Sequence, residues 1–193
     1  GGTSWQSTRA KVKRALADMV EELLRLYAER KAEKGHVFAP PGPEYKEFEA
    51  RFPFSETPDQ LAAIEEIIAD MTSDKITDRL VCGDVGFGKT EIAMRAAYLA
   101  VLDGKQVAVL VPTTVLAFQH LQTFKDRFRR EPVVIEMLSR LVAGMEQKEI
   151  LKKLEAGTID ILIGTHAILG KKIKFNNLGL LIIDEEHRFG VRH

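Results

Sequence analysis

One cysteine, Cys82, among 193 residues leaves no partner for an intramolecular disulfide and fits a reducing, cytosolic compartment. Standing in Leu80-Val81-Cys82, it reads as a small core residue. No apolar run approaches the roughly 18 residues of a membrane-spanning helix, and no secretory signal pattern stands at the start. Charge of one sign is not in excess either. Lys and Arg total 28 and so do Asp and Glu, so any contact with nucleic acid must come from a local surface and not from overall charge. Internal repeats and low-complexity stretches are lacking, which excludes solenoids and disordered linkers.

What remains is an ordinary globular composition, 45 % hydrophobic and 29 % charged, at a length suited to one domain with an extension. Three parts are expected: a linker helix over 1–35, a Pro-rich connector over 36–56, and a lobe over 57–193. In the first, Val12, Leu16, Met19, Val20, Leu23, Leu24 and Tyr27 recur at helical spacing, and Gly35 is a plausible stop. In the second, Pro40, Pro41, Pro43, Pro53 and Pro58 break regular structure around a short helix near Glu44 to Arg51. Phe48, Phe52 and Phe54 would anchor this connector on the body.

From Thr57 onward, helix and strand patterns alternate. Helices are expected at Asp59 to Met71, Lys89 to Leu102, Leu116 to Phe128 and Glu146 to Ala156. Strands are expected at Arg79 to Cys82, Val107 to Val111, Val133 to Leu138, Asp160 to Ile163 and Leu178 to Ile183. Such short, β-branched-rich runs are typical of parallel strands buried on both faces. The alternation predicts an α/β domain with a mainly parallel sheet and helices on both faces.

Two motifs carry chemistry. Gly83-Asp84-Val85-Gly86-Phe87-Gly88-Lys89-Thr90 follows an apolar run and opens an amphipathic helix, the setting a phosphate-binding loop requires. Glycine lets successive amides converge on phosphate oxygens, and the helix N-terminus turns its positive dipole end toward the same anion. Lys89 would bridge the β- and γ-phosphates of ATP, and Thr90 would offer its hydroxyl to Mg²⁺. Farther along, Leu180-Leu181-Ile182-Ile183 ends in Asp184-Glu185-Glu186-His187. A carboxylate at the C-terminal end of a parallel strand faces the ligand crevice. Asp184 would hold Mg²⁺ through water, and Glu185 would orient and deprotonate the attacking water.

Together these motifs resemble those of superfamily 2 helicases and translocases, whose motor lobe is RecA-like. Pro112-Thr113-Thr114, Leu116-Ala117 and Gln119-His120 resemble motif Ia, and Gly164-Thr165-His166 resembles the motif Ic region. The stretches from Arg79 to Glu91 and from Asp184 to Val191 are most similar to the motor of the bacterial transcription-repair coupling factors, with RecG-type fork-remodelling helicases next. Phe54 and Thr57-Pro58-Asp59-Gln60 resemble the Q motif, which implies that Gln60 pairs with adenine and Phe54 stacks on it. Thr57, Pro58 and Gln60 also spell a helix start with a capping box.

The resemblance implies ATP contacts along Gly83 to Glu91, including Asp84, Val85, Phe87 and Glu91. It implies DNA backbone contacts at Thr113, Thr114, Gln119, His120, Ser139, Arg140, Gly164, Thr165 and His166. His120 and His187 have no metal-ligand company and read equally as structural hydrogen-bonding residues. The basic runs Lys125 to Arg130 and Lys171 to Lys174 read as solvated faces or as phosphate contacts.

As partners, the resemblance implies double-stranded DNA, RNA polymerase, excision-repair proteins and a second arginine-bearing RecA-like lobe. The chain opens on Gly1 and stops at His193 just past a motif, so it reads as a fragment that hydrolyses ATP slowly or not at all alone. In the family a further strand separates the phosphate-loop strand from the acidic-box strand. Without it, the sheet is expected to close by another pairing or to leave a self-associating edge. The rival readings are a RecG-like lobe and a nucleotide-binding regulatory module without turnover. A small-molecule kinase would give motif Ia no task.

Overall fold

The computed structural model describes residues 35–84, 86–139 and 144–184. The expected helix of the first 34 residues, Val85, Arg140 and the chain from Glu185 onward lie outside the described residues.

The connector forms helix α1 (Pro43–Ala50), with Pro43 in its first turn and Tyr45 and Phe48 on its buried face. Helix α2 (Pro58–Met71) starts where the sequence spells a start. The Thr57 hydroxyl accepts from Gln60 N, the Gln60 side chain accepts from Thr57 N at 2.9 Å, and Pro58 supplies a preset φ. Helix α3 (Lys89–Leu102) is buried over most of its length, as a helix lodged between a sheet and other helices must be. Strand β1 (Gln106–Leu110) is followed by α4 (Thr114–Arg127), capped by the Thr113 hydroxyl. Then come β2 (Ile135–Leu138), α5 (Gly144–Glu155), β3 (Ile161–Gly164), a 3-10 turn (His166–Leu169) and β4 (Leu178–Ile183).

The strands form a four-stranded sheet in the order β2-β3-β1-β4, and every pairing is parallel. Successive side chains of β1 alternate between two cores. Val107 and Val109 join α1 to α4 on one face, while Ala108 and Leu110 join α5 and the 3-10 turn on the other. The α/β expectation is met, and all four observed strands overlap predicted ones.

The expected strand Arg79 to Cys82 does not form. Residues 76–84 run without ladder bonds, Leu80 is 75 % exposed, and Cys82 lies at the surface instead of in the core. A strand exists only where a neighbour supplies its hydrogen bonds. Here a cavity separates this segment from β4. Arg79 ties it to α2 through Asp70 and Glu66 instead. Nor does the expected alternative closure appear. Among the described residues β4 pairs with β1 alone, and Leu178, Leu181 and Ile183 are each about half exposed.

Candidate active site

The phosphate loop is shaped by its glycines. Gly86 and Gly88 have φ of 86° and 76°, a region costly for any side chain. A Cβ on Gly88 would also stand 2.6 Å from Gln60 Nε2. The Lys89 ammonium folds back over the loop, donating to the carbonyls of Gly83 and Asp84, the latter at 2.9 Å. It therefore stands at the loop mouth, held there by two carbonyl dipoles.

Asp184 follows the last residue of β4, and its amide extends the ladder by donating to Leu110 O at 2.9 Å. One carboxylate oxygen lies 2.7 Å from His120 Nε2. Lys89, Thr90, His120 and Asp184 line one cavity of about 310 Å³ beside β4. An ammonium, a hydroxyl and a carboxylate thus converge from two elements that adjoin only in space. That set suits a polyphosphate with a divalent cation, in which the ammonium faces phosphate and the two oxygens face metal.

Residues 57–193 match the DEAD/DEAH box helicase family. The chain belongs to that family. Among curated relatives, the transcription-repair-coupling factor of Haemophilus influenzae is 57 % identical over 191 residues, 99 % of this chain and 17 % of the relative. Those of Escherichia coli and Bacillus subtilis are 55 % and 52 % identical over 193 residues. This chain spans only 16 or 17 % of the length of these relatives. Among solved structures, RecG bound to a three-way DNA junction superposes with a TM-score of 0.80 at 38 % identity, covering 86 % of this chain and 23 % of that one. The resemblance read from the motifs is therefore borne out, and the fold is a RecA-like helicase lobe. The family implies a nucleotide with a divalent metal, and the donors just described fit both.

A second cavity of about 870 Å³ is lined by Phe54, Thr57, Gln60, Gly86, Gly88 and Glu91, among others. Phe54 is 72 % exposed, so it does not anchor the connector as expected. It presents an open ring to this cavity, edge-on to Phe52. The Gln60 amide is engaged at both ends, accepting from Thr57 N and donating to Phe87 O. It thereby links the start of α2 to the phosphate loop, and contact with a base requires it to exchange one of these partners. Glu91 is 5 % exposed, and Arg95 and Arg127 take both of its oxygens. Its side chain braces the site and does not reach into the loop.

The residues expected at DNA are spread over different environments. Thr113 and Gln119 are exposed on the first turns of α4, and Thr114 is half-buried. Gly164 ends β3 between Leu110 and Leu138. Ser139 and Thr165 are buried at 1 % and 5 % exposure, and His166 is half-buried. His120 turns inward to Asp184. Arg140 and Glu185 lie outside the described residues, as does Val85.

Sequence reasoning missed the ion cluster behind the second cavity. Arg95, 1 % exposed, donates to Glu91 at 3.0 Å, to Glu49 at 2.8 Å and to Glu56. Arg127 reaches Glu91 at 2.8 Å and Phe48 O at 2.8 Å, with its guanidinium 3.7 Å from the Phe48 ring centroid. Burial alone would lower the pKa of Arg95, but the Glu91 and Glu56 carboxylates raise it on balance. A backbone hydrogen bond and then Arg95 hold the Glu56 carboxyl below the usual range. The signal was available: Glu91 and Arg95 are a charged i,i+4 pair inside an otherwise apolar helix.

Proposed function

We propose that this chain is the ATP-binding lobe of a double-stranded DNA translocase of the transcription-repair coupling type. The parent would displace stalled RNA polymerase and hand the lesion to excision repair in the cytoplasm. The observation that carries the nucleotide reading is the shared cavity of Lys89, Thr90 and Asp184. Identities of 52 to 57 % to the coupling factors, against 38 % to RecG, favour the coupling type over fork remodelling.

In this reading the amides of Gly86 to Lys89 cradle ATP phosphates, and Lys89 leaves its two carbonyls to bridge the β- and γ-oxygens. Thr90 and Asp184 would hold the metal, Asp184 through water. Bound Mg²⁺ would draw negative charge from the phosphates and so ease the transfer. Glu185, next to Asp184 in the chain, orients the attacking water and takes its proton. Phe54 and Gln60 receive adenine in the larger cavity. The first turns of α4, with Thr113 and Gln119 exposed and Thr114 half-buried, follow the DNA backbone without reading bases. The loops at Ser139-Arg140 and 164–166 would do so through main-chain groups, since the Ser139 and Thr165 side chains are buried. A second RecA-like lobe supplies the arginines that stabilise the transferred phosphoryl group, and this lobe alone turns over slowly or not at all.

Nucleotide titration of the full-length parent tests the reading. Lys89→Ala should weaken ATP binding by at least about tenfold, since each tenfold corresponds to the loss of about 1.4 kcal/mol of charged contact. Unchanged affinity would remove the phosphate-loop assignment. Stimulation of ATP hydrolysis by duplex DNA separates a motor from a regulatory module.

A further inference from the structure

The sequence allows His120 either a DNA contact or a structural hydrogen bond, and its ring turns toward Asp184. Its Nδ1 lies 3.1 Å from Leu116 O, one turn back in α4, and its Nε2 lies 2.7 Å from Asp184 Oδ2. The ring also stacks on Phe124, which is fully buried, with centroids 6.3 Å apart. The imidazole is thus held by its own helix on two sides and spends its outer nitrogen on the metal-facing carboxylate. Helix α4 packs chiefly on β2 and β3. The His120–Asp184 bond is a polar link from it to the end of β4.

A carboxylate that holds a metal works best when a second hydrogen bond fixes its orientation, and loss of such a partner typically costs 10- to 100-fold in metal affinity. The same helix begins at Thr113 and Thr114, whose turn faces DNA in the proposed function. We propose that His120 is a positioning residue that couples this DNA-facing turn to Asp184. A shift of α4 on binding DNA turns the imidazole, and the imidazole reorients the carboxylate. The link rests on the translocase reading, and it adds a mechanical path between two sites that the motifs treat as separate.

The test compares His120→Ala and His120→Gln in the full-length parent. Three quantities are measured: the Mg²⁺ concentration needed for tight binding of a fluorescent ATP analogue, duplex DNA affinity without nucleotide, and the factor by which duplex changes nucleotide affinity. For the alanine variant the Mg²⁺ requirement should rise about 10- to 100-fold. Its DNA affinity should hold within about twofold, and its coupling factor should fall toward one. Glutamine, whose amide nitrogen reaches a similar position, should restore most of both.

Wild-type Mg²⁺ dependence and wild-type coupling in His120→Ala would overturn the proposal and leave the translocase reading standing. So would equal loss in both variants together with a lowered Tm, because that marks a packing role. If the unmodified parent shows no coupling at all between duplex and nucleotide, the translocase reading itself fails and takes the proposal with it.

Discussion

Beside the larger cavity, near Phe54, the side chains of Arg95, Arg127, Glu91, Glu49 and Glu56 lock α1, α3, α4 and the connector together. Beside Asp184, His120 contacts the carboxylate, and the outer edge of β4 pairs with no described strand. In the proposed reading the base end is thus preset by the chain's own upstream segment. In that reading the metal end has a carboxylate in place beside a strand edge that no described strand covers. For a motor lobe that division is useful. The base can be received by a fixed surface, while the phosphate end stays open to rearrangement by DNA or by another lobe.

The sharpest way to break this contrast is to remove the centre of the braced end. Arg95→Ala removes a guanidinium that is itself 1 % exposed from Glu91, Glu49 and Glu56, of which Glu91 keeps Arg127 and Glu49 is 41 % exposed. Deleting one partner of a buried ion pair typically costs roughly 3–5 kcal/mol. Because Arg127 still holds Glu91 and Glu49 is part-solvated, the loss here should fall at the low end, about 3 kcal/mol. Urea unfolding should show a loss of that size. A loss under about 1 kcal/mol would mean that the cluster is spectator to folding and that the base end is no better braced than the metal end.

A second pair of substitutions sharpens the comparison between the two halves of the sheet. Ile163 on β3 is fully buried, whereas Ile183 on β4 is 48 % exposed although both are strand isoleucines. Ile163→Ala should destabilise this chain by about 3 kcal/mol through lost burial and a residual cavity. Ile183→Ala should stay within about 1 kcal/mol, as surface changes do. Equal losses in urea titrations would show that β4 is covered in solution, for instance by a second copy of this chain joined along its open edge.

The same contrast governs what could be read from the residues. The glycine spacing of the phosphate loop, the capping box at Thr57 and the apolar runs of β1, β3 and β4 are local signals, and each led to the right element. Arg79 to Cys82 has the composition of a strand, yet strand formation depends on a neighbour, and composition carries no record of whether one is present. Cys82 was misplaced for the same reason. The ion cluster and the His120–Asp184 bond join residues far apart in sequence, so no periodicity points to them. Only the charged pair Glu91 and Arg95 within the apolar turns of α3 hinted that carboxylates must come from elsewhere to meet a buried guanidinium.

The smallest expected effect concerns acid sensitivity at the braced end. A backbone hydrogen bond and the Arg95 guanidinium lower the folded-state pKa of Glu56, and no such contacts persist once the chain unfolds. A depressed carboxyl pKa contributes stability that is fully present above the unfolded value, about 4.3 for glutamate. It is lost as pH falls through the lower folded value, because the unfolded state takes up its proton first. Glu56→Gln removes that titration. The variant should therefore be less stable than the parent near neutral pH, and the gap should close as urea unfolding is repeated from about pH 7 down to about pH 3. A gap that stays constant over this range would mean that Glu56 acts through packing or amide-compatible hydrogen bonds alone. The base end would then owe its rigidity to Glu91 and Glu49, the remaining carboxylates on Arg95.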